Sequence, residues 1–164
     1  MAKLADLNAM TPEEFTSVLG GVFEHSPWIA QRAAAKRPFR DTAELLAALR
    51  DTVMKAGDAE KLALIRAHPD LVGNATLTRE SQGEQQAAGL GDISNEEIAQ
   101  FRKYNADYRE RFGFPFIICA RLIKKEAILA AFPVRLQNSK EREMEMALGE
   151  IFKIAELRLK DAIE

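Results

Sequence analysis

One cysteine, Cys119, and two histidines, His25 and His68, are the whole supply of thiol and imidazole in this chain of 164 residues. A single thiol excludes an internal disulfide framework and suits a reducing, cytoplasmic setting. An excess of either charge is also missing. The 23 Lys and Arg stand against 25 Asp and Glu, a formal net charge of −2, so nothing suggests a broad electrostatic footprint for nucleic acid. Long hydrophobic runs are lacking too. The longest, Phe112 to Ala120, contains Gly113 and Pro115 and falls well short of the roughly 20 residues that cross a bilayer, so no membrane span is expected. At the amino end, Asp6 stands where a secretory leader needs unbroken apolar sequence, and the Glu164 end carries no peroxisomal tripeptide.

What is present is helix signal, repeatedly, with almost no strand signal. At 47% apolar and 29% charged residues the composition is that of an ordinary globular protein, and the length suits one domain over residues 1–164. Thr11-Pro12-Glu13-Glu14 combines an N-cap, a proline at the first helical position and a capping-box glutamate, and predicts a helix to about Leu19, broken by Gly20-Gly21. Ser26-Pro27 repeats the start. Leu45, Leu46, Leu49 and Val53 recur at helical spacing after Asp41, and Leu62 and Ile65 do so in a helix from about Asp58 to Ala67. Val72 to Thr78, with Gly73-Asn74, reads as a loop. Ser94-Asn95-Glu96-Glu97 opens a helix to about Phe112, closed by Gly113. Lys124 to about Phe132 follows, ended or kinked by Pro133, and Asn138 with Glu141 is placed to cap a last helix to about Ile163. The expected fold is all-α, a bundle of seven to eight helices with one short extended segment near 114–120.

Chemistry concentrates between Ile65 and Leu90. His68 follows Leu64 and Ile65 by four and three positions, on the apolar side of a helix end, and Pro69 stops that helix and forces a bend. In a second short helix Ser81, Glu84 and Gln85 share one face until Gly89 ends it. An imidazole at a fixed bend beside a hydroxyl, a carboxylate and an amide is the composition of a polar small-molecule site. Each also has a plainer reading: His68 as a hydrogen-bonded core residue, and Ser81 with Glu84 as a capping box. Asp70 either orients the imidazole or forms the turn.

Outside this stretch the candidates are more scattered. His25 either joins the site or is structural or exposed. Asn105 interrupts the apolar stripe Ile98, Phe101, Tyr108 and Phe112, where a buried amide would tie a neighbouring backbone in place. Phe114-Pro115-Phe116-Ile117-Ile118-Cys119-Ala120 has strand-like composition and no sheet partner, so its amides need a loop carbonyl, water or a ligand. Cys119 amid Ile and Ala reads as packing more readily than as a nucleophile. Arg158 lies at the margin of the stripe Leu148, Ile151, Phe152, Ala155 and Leu159, where it either snorkels or meets a carboxylate or imide edge.

Glu24-His25-Ser26-Pro27-Trp28, His68-Pro69-Asp70-Leu71, Ser81-x-x-Glu84-Gln85-x-x-x-Gly89-Leu90, Phe112-Gly113-Phe114-Pro115-Phe116 and Arg158-Leu159 occur in one unbroken order, and together they resemble the OHCU decarboxylase family, which acts on 2-oxo-4-hydroxy-4-carboxy-5-ureidoimidazoline (OHCU). The likeness runs from about Leu7 to about Leu159. It implies an all-helical, cofactor-free, homodimeric enzyme of urate degradation that yields (S)-allantoin and carbon dioxide, with no metal. It further implies His68 as the catalytic histidine and Glu84 as its acidic partner. Substrate would be held by Pro69, Ser81, Gln85 and Arg158 and by the backbone around Ile117 and Cys119. Two other classes compete. A metal-dependent hydrolase would use His68, Asp70 and Glu84, perhaps with His25, but lacks a second histidine at helical spacing. A non-catalytic helical domain would bind a purine-like ligand without turning it over.

Overall fold

The computed structural model describes residues 1–73 and 76–164. Among these residues the fold is all-α, with nine α-helices, two 3₁₀ turns and no strand; Ala2 and Ile163 form an isolated bridge. The helices group into two compact units, one formed by residues 1–67 and 152–164, the other by residues 68–151.

The first unit holds α1 (Leu4–Ala9), α2 (Pro12–Leu19), α3 (Trp28–Ala33), α4 (Thr42–Met54) and α5 (Asp58–Arg66), with the carboxyl end of α9 (Lys140–Ala162). Local chemistry starts most of them. Thr11 Oγ1 accepts the Glu14 N–H at 3.1 Å and Pro12 occupies the first helical position; Asp41 accepts the Glu44 N–H at 2.8 Å at the head of α4. Ser26 does not cap α3, because its hydroxyl donates back to the Glu24 carbonyl at 2.9 Å. Leu7, Phe15, Ile29, Leu45, Leu49 and Val53 are wholly buried, as the helical spacing requires. In α5 the inward pair is Leu64 and Ile65, while Leu62 stays half-buried.

The second unit holds α6 (Arg79–Ala87), α7 (Asn95–Phe112), α8 (Lys125–Leu136) and the amino-terminal part of α9. Ser94 and Glu97 form the expected reciprocal capping box, and Gly113, at φ 79°, closes α7 in the left-handed conformation that a Cβ disfavours. Phe101 meets Phe132 edge to face at 6.1 Å, and Phe132 stacks on Phe116 at 3.9 Å. Two expectations need correcting. Of the two outcomes expected at Pro133, an end or a kink, the end is excluded, because helix α8 runs on to Leu136. A proline here forfeits a single hydrogen bond, to Leu129, and the last turn is held from outside by Arg135, whose guanidinium is fixed by Glu143. The cap of α9 is Ser139, whose Oγ accepts the Arg142 N–H at 3.1 Å; Asn138 instead donates from Nδ2 to Glu143 at 2.8 Å. Of the loop expected at Val72 to Thr78, the described residues are irregular, and Asn74 and Ala75 lie outside them.

Candidate active site

His68 opens the second unit, at a bend immediately after the cap of α5, and is 7% exposed. The turn behind it is tied down residue by residue. The Asp70 carboxylate accepts from Arg109 Nε at 2.9 and 3.1 Å; the Leu71 carbonyl accepts from Asn105 Nδ2 at 2.8 Å; the Val72 N–H donates to Gln85 Oε1 at 3.3 Å. These restraints hold a conformation the chain would not choose unaided. Val72 sits at φ 58°, unusual for a β-branched residue, and a Cβ at Gly73 would lie 3.2 Å from Asp70. Asp70 thus serves the turn through Arg109, and Asn105 performs the backbone-tying role its place in the stripe suggested.

Helix α6 settles the rival reading of Ser81. Its N-cap is Thr78, whose hydroxyl accepts the Ser81 N–H at 3.2 Å, so Ser81 lies inside the helix instead of capping it. Ser81, Glu84 and Gln85 are 5, 9 and 9% exposed and form the buried face. The helix ends with Leu90 N–H to Gln85 O and Gly89 N–H to Gln86 O, both at 3.0 Å, with Gly89 at φ 86°. That is the Schellman closure glycine permits. Helix α6 packs against the 3₁₀ turn Ala120–Leu122, which brings its polar face to the end of the extended segment.

The segment 114–119 is irregular, without a sheet partner among the described residues. Two of its backbone groups are held by charged side chains that sequence reasoning did not single out. The Cys119 N–H donates to Glu150 Oε1 at 3.0 Å, and the Ile117 carbonyl accepts from Arg135 Nη1. Arg135 in turn donates from Nε to Glu143 at 2.8 Å, and Glu143 also accepts from the Tyr108 hydroxyl at 2.6 Å. Burial, then the Glu143 carboxylate, pushes the Tyr108 phenol well above its usual range. Burial chiefly, with the negative charges of Glu150 and Glu84 behind it, raises the Cys119 thiol as well. A thiol held protonated at neutral pH is a poor nucleophile, consistent with its packing role. The overlooked signal was available: Glu143 and Glu150 flank Ala147 on the inward stripe of α9, where an acid needs a partner.

In the first unit Arg158 is 5% exposed and does not snorkel. Its Nη1 donates to the Gly21 carbonyl at 3.1 Å and its Nη2 to Glu24 Oε2 at 3.3 Å. His25 is exposed, at φ 45°. Among the described residues no three of His, Cys, Asp and Glu cluster as metal ligands, and no helix is long and apolar enough to cross a membrane.

Comparison with known proteins adds an independent line. A family model described as OHCU decarboxylase matches residues 8–160. A 2-oxo-4-hydroxy-4-carboxy-5-ureidoimidazoline decarboxylase of Haloferax volcanii is 40% identical over 95% of this chain and 93% of its own length. A uric acid degradation bifunctional protein of Bacillus subtilis is 41% identical over 99% of this chain and 33% of its own. The crystal structure of an (S)-allantoin synthase superposes with a TM-score of 0.83 at 31% identity, covering 100% of this chain and 54% of that one.

Proposed function

We propose, from the premise that the chain belongs to the OHCU decarboxylase family, that it converts OHCU to (S)-allantoin and carbon dioxide in urate degradation. The observation that carries this reading is the family match over nearly the whole chain, joined to a buried imidazole, hydroxyl, carboxylate and amide within the second unit.

The chemistry asks little beyond orientation. Loss of carbon dioxide leaves an electron pair on carbon, and the adjacent carbon–nitrogen double bond of the substrate accepts it, so the substrate carries its own electron sink. Net, the carboxylate leaves as carbon dioxide and one proton is taken up: the ring nitrogen that receives the electron pair is protonated, and the hydroxyl loses its proton to become a carbonyl as the ureido-bearing carbon gains one, without a co-reactant. The protein must align the carboxylate, stabilise an enol-like intermediate and deliver the proton to one face. His68 handles the proton on or near the hydroxyl-bearing carbon, as the side chain whose ordinary pKa lies nearest neutrality. Glu84 holds the hydroxyl and supports the charged imidazole. Ser81 and Gln85 take the ureido side; Pro69 and the backbone at Ile117 and Cys119 border the ring; Arg158 is assigned, by the family pattern, to the anionic or carbonyl edge. We further propose a homodimer acting in the cytoplasm.

Circular dichroism, with urate oxidase and hydroxyisourate hydrolase generating OHCU in place, tests the reading. The protein should hasten the appearance of one allantoin enantiomer, and a folded His68→Ala variant should lose that effect. Undiminished stereospecific production by the variant removes His68 from the mechanism. An inactive wild-type protein removes the function.

A further inference from the structure

We infer that Glu150 is a positioning residue of this site: its carboxylate holds the Cys119 amide, and through it the backbone from Ile117 to Cys119, in the register that meets the substrate. The inference rests on the decarboxylase reading and names a residue that the motifs leave out. Three observations support it.

Glu150 is 9% exposed and accepts the Cys119 N–H at 3.0 Å, so a carboxylate carried into the interior holds a backbone donor of this segment. A charge-assisted bond of this kind is stronger than a neutral one, and a backbone carbonyl would have satisfied the amide at lower desolvation cost. The other end of the tripeptide is treated alike, since the Ile117 carbonyl accepts from buried Arg135. Finally, Glu84 on α6 and Glu150 on α9 both act electrostatically on the Cys119 side chain, so the two acids face the same residue from different helices.

The geometry explains what the clamp achieves. Glu150 and Arg135 engage the Cys119 N–H and the Ile117 carbonyl, which fixes the peptide groups on either side of Ile118, the half-buried residue between them. An adjacent donor and acceptor, the N–H and carbonyl of Ile118, on a segment held at both ends suit the amide edge of a ureido-substituted ring. Glu150 thus acts on substrate through the backbone and touches no reacting atom.

The single cysteine makes the test direct, because protein labelled with [15N]cysteine gives one backbone amide resonance, that of Cys119. Glu150→Ala should shift this resonance upfield and speed its hydrogen exchange about tenfold or more, the loss expected for one hydrogen bond to a charged acceptor. Glu150→Gln, whose amide oxygen still accepts, should leave both near wild type. Turnover of OHCU should follow the same order: KM raised about tenfold in Glu150→Ala with kcat less affected, and within about threefold of wild type in Glu150→Gln. If the alanine variant does not fold, Glu150→Asp, which withdraws the carboxylate by one methylene, carries the same expectation. Unchanged KM and kcat in Glu150→Ala, or equal damage from Glu150→Gln, overturns this inference while an active wild type leaves the decarboxylase reading standing. A wild type that does not accelerate the reaction overturns both.

Discussion

The turn that carries His68 offers the sharpest separation of stability from function, through Asn105→Leu. Asn105 is 6% exposed, its Nδ2 donates to the Leu71 carbonyl at 2.8 Å, and its Oδ1 is buried with no hydrogen-bond partner among the described residues. Leucine is close in shape and removes both groups. Stranding the Leu71 carbonyl costs about 1–3 kcal/mol, while relieving an unsatisfied buried acceptor returns about 1–2 kcal/mol. The two effects oppose, so the net loss should be at most about 2 kcal/mol. Against a typical reserve of about 5–15 kcal/mol the protein stays folded at 25 °C, with Tm lowered by no more than about 8 °C. Activity should not be spared in proportion. With the Leu71 restraint gone, the strained Val72 conformation relaxes and the bend at His68 moves with it. A displacement of about 1 Å at a reacting group can cost about a hundredfold, so kcat/KM should fall about 10- to 100-fold. Ser94→Ala supplies the control: it lies on the same helix, costs about 1 kcal/mol through the lost cap, and should leave turnover within about twofold. Thermal melts and OHCU turnover at 25 °C decide the matter. If Asn105→Leu and Ser94→Ala lose activity alike at similar Tm, the turn does not position His68.

Two further perturbations probe the second unit. Tyr108→Phe deletes the hydroxyl that donates to Glu143 at 2.6 Å and leaves the carboxylate with Arg135 and Asn138, so denaturant unfolding should show a loss of about 1.5–3 kcal/mol; a loss under 0.5 kcal/mol would mean the buried acid does not need that donor. Cys119 predicts an alkaline dependence. The folded protein keeps the thiol proton after the unfolded chain has released it, so stability should decline as pH rises through the ordinary thiol range; Cys119→Ala should flatten that decline, and an unchanged slope would refute it.

Much of the architecture was legible along the chain because it is local. Thr11-Pro12, Asp41, the Ser94–Glu97 box and Gly113 mark helix ends through groups within four residues of one another, and each behaves as expected. Asn105 was readable for a similar reason, since an amide on an apolar stripe must find a partner. Local ambiguity produced the misses. Thr78, Ser81 and Glu84 offer two possible caps a turn apart, and Asn138 and Ser139 stand side by side; packing chose Thr78 and Ser139. Pro133 was judged by the hydrogen bond it lacks, whereas Arg135 and Glu143 keep the turn that follows it.

The amino-acid order by itself determined the helices, several of their ends, the family and the stretch in which the chemistry would be found, because caps, periodicity and motif order act over a turn or two of chain. Only the tertiary structure decided which charges serve the backbone. Arg135 and Glu150 are separated from Ile117 and Cys119 by 18 and 31 residues, and Asn105 from Leu71 by 34. No local pattern encodes such pairs. They follow from desolvation, since an acid, a guanidinium or an amide carried inward on an apolar stripe takes whichever polar backbone group the neighbouring element leaves uncovered.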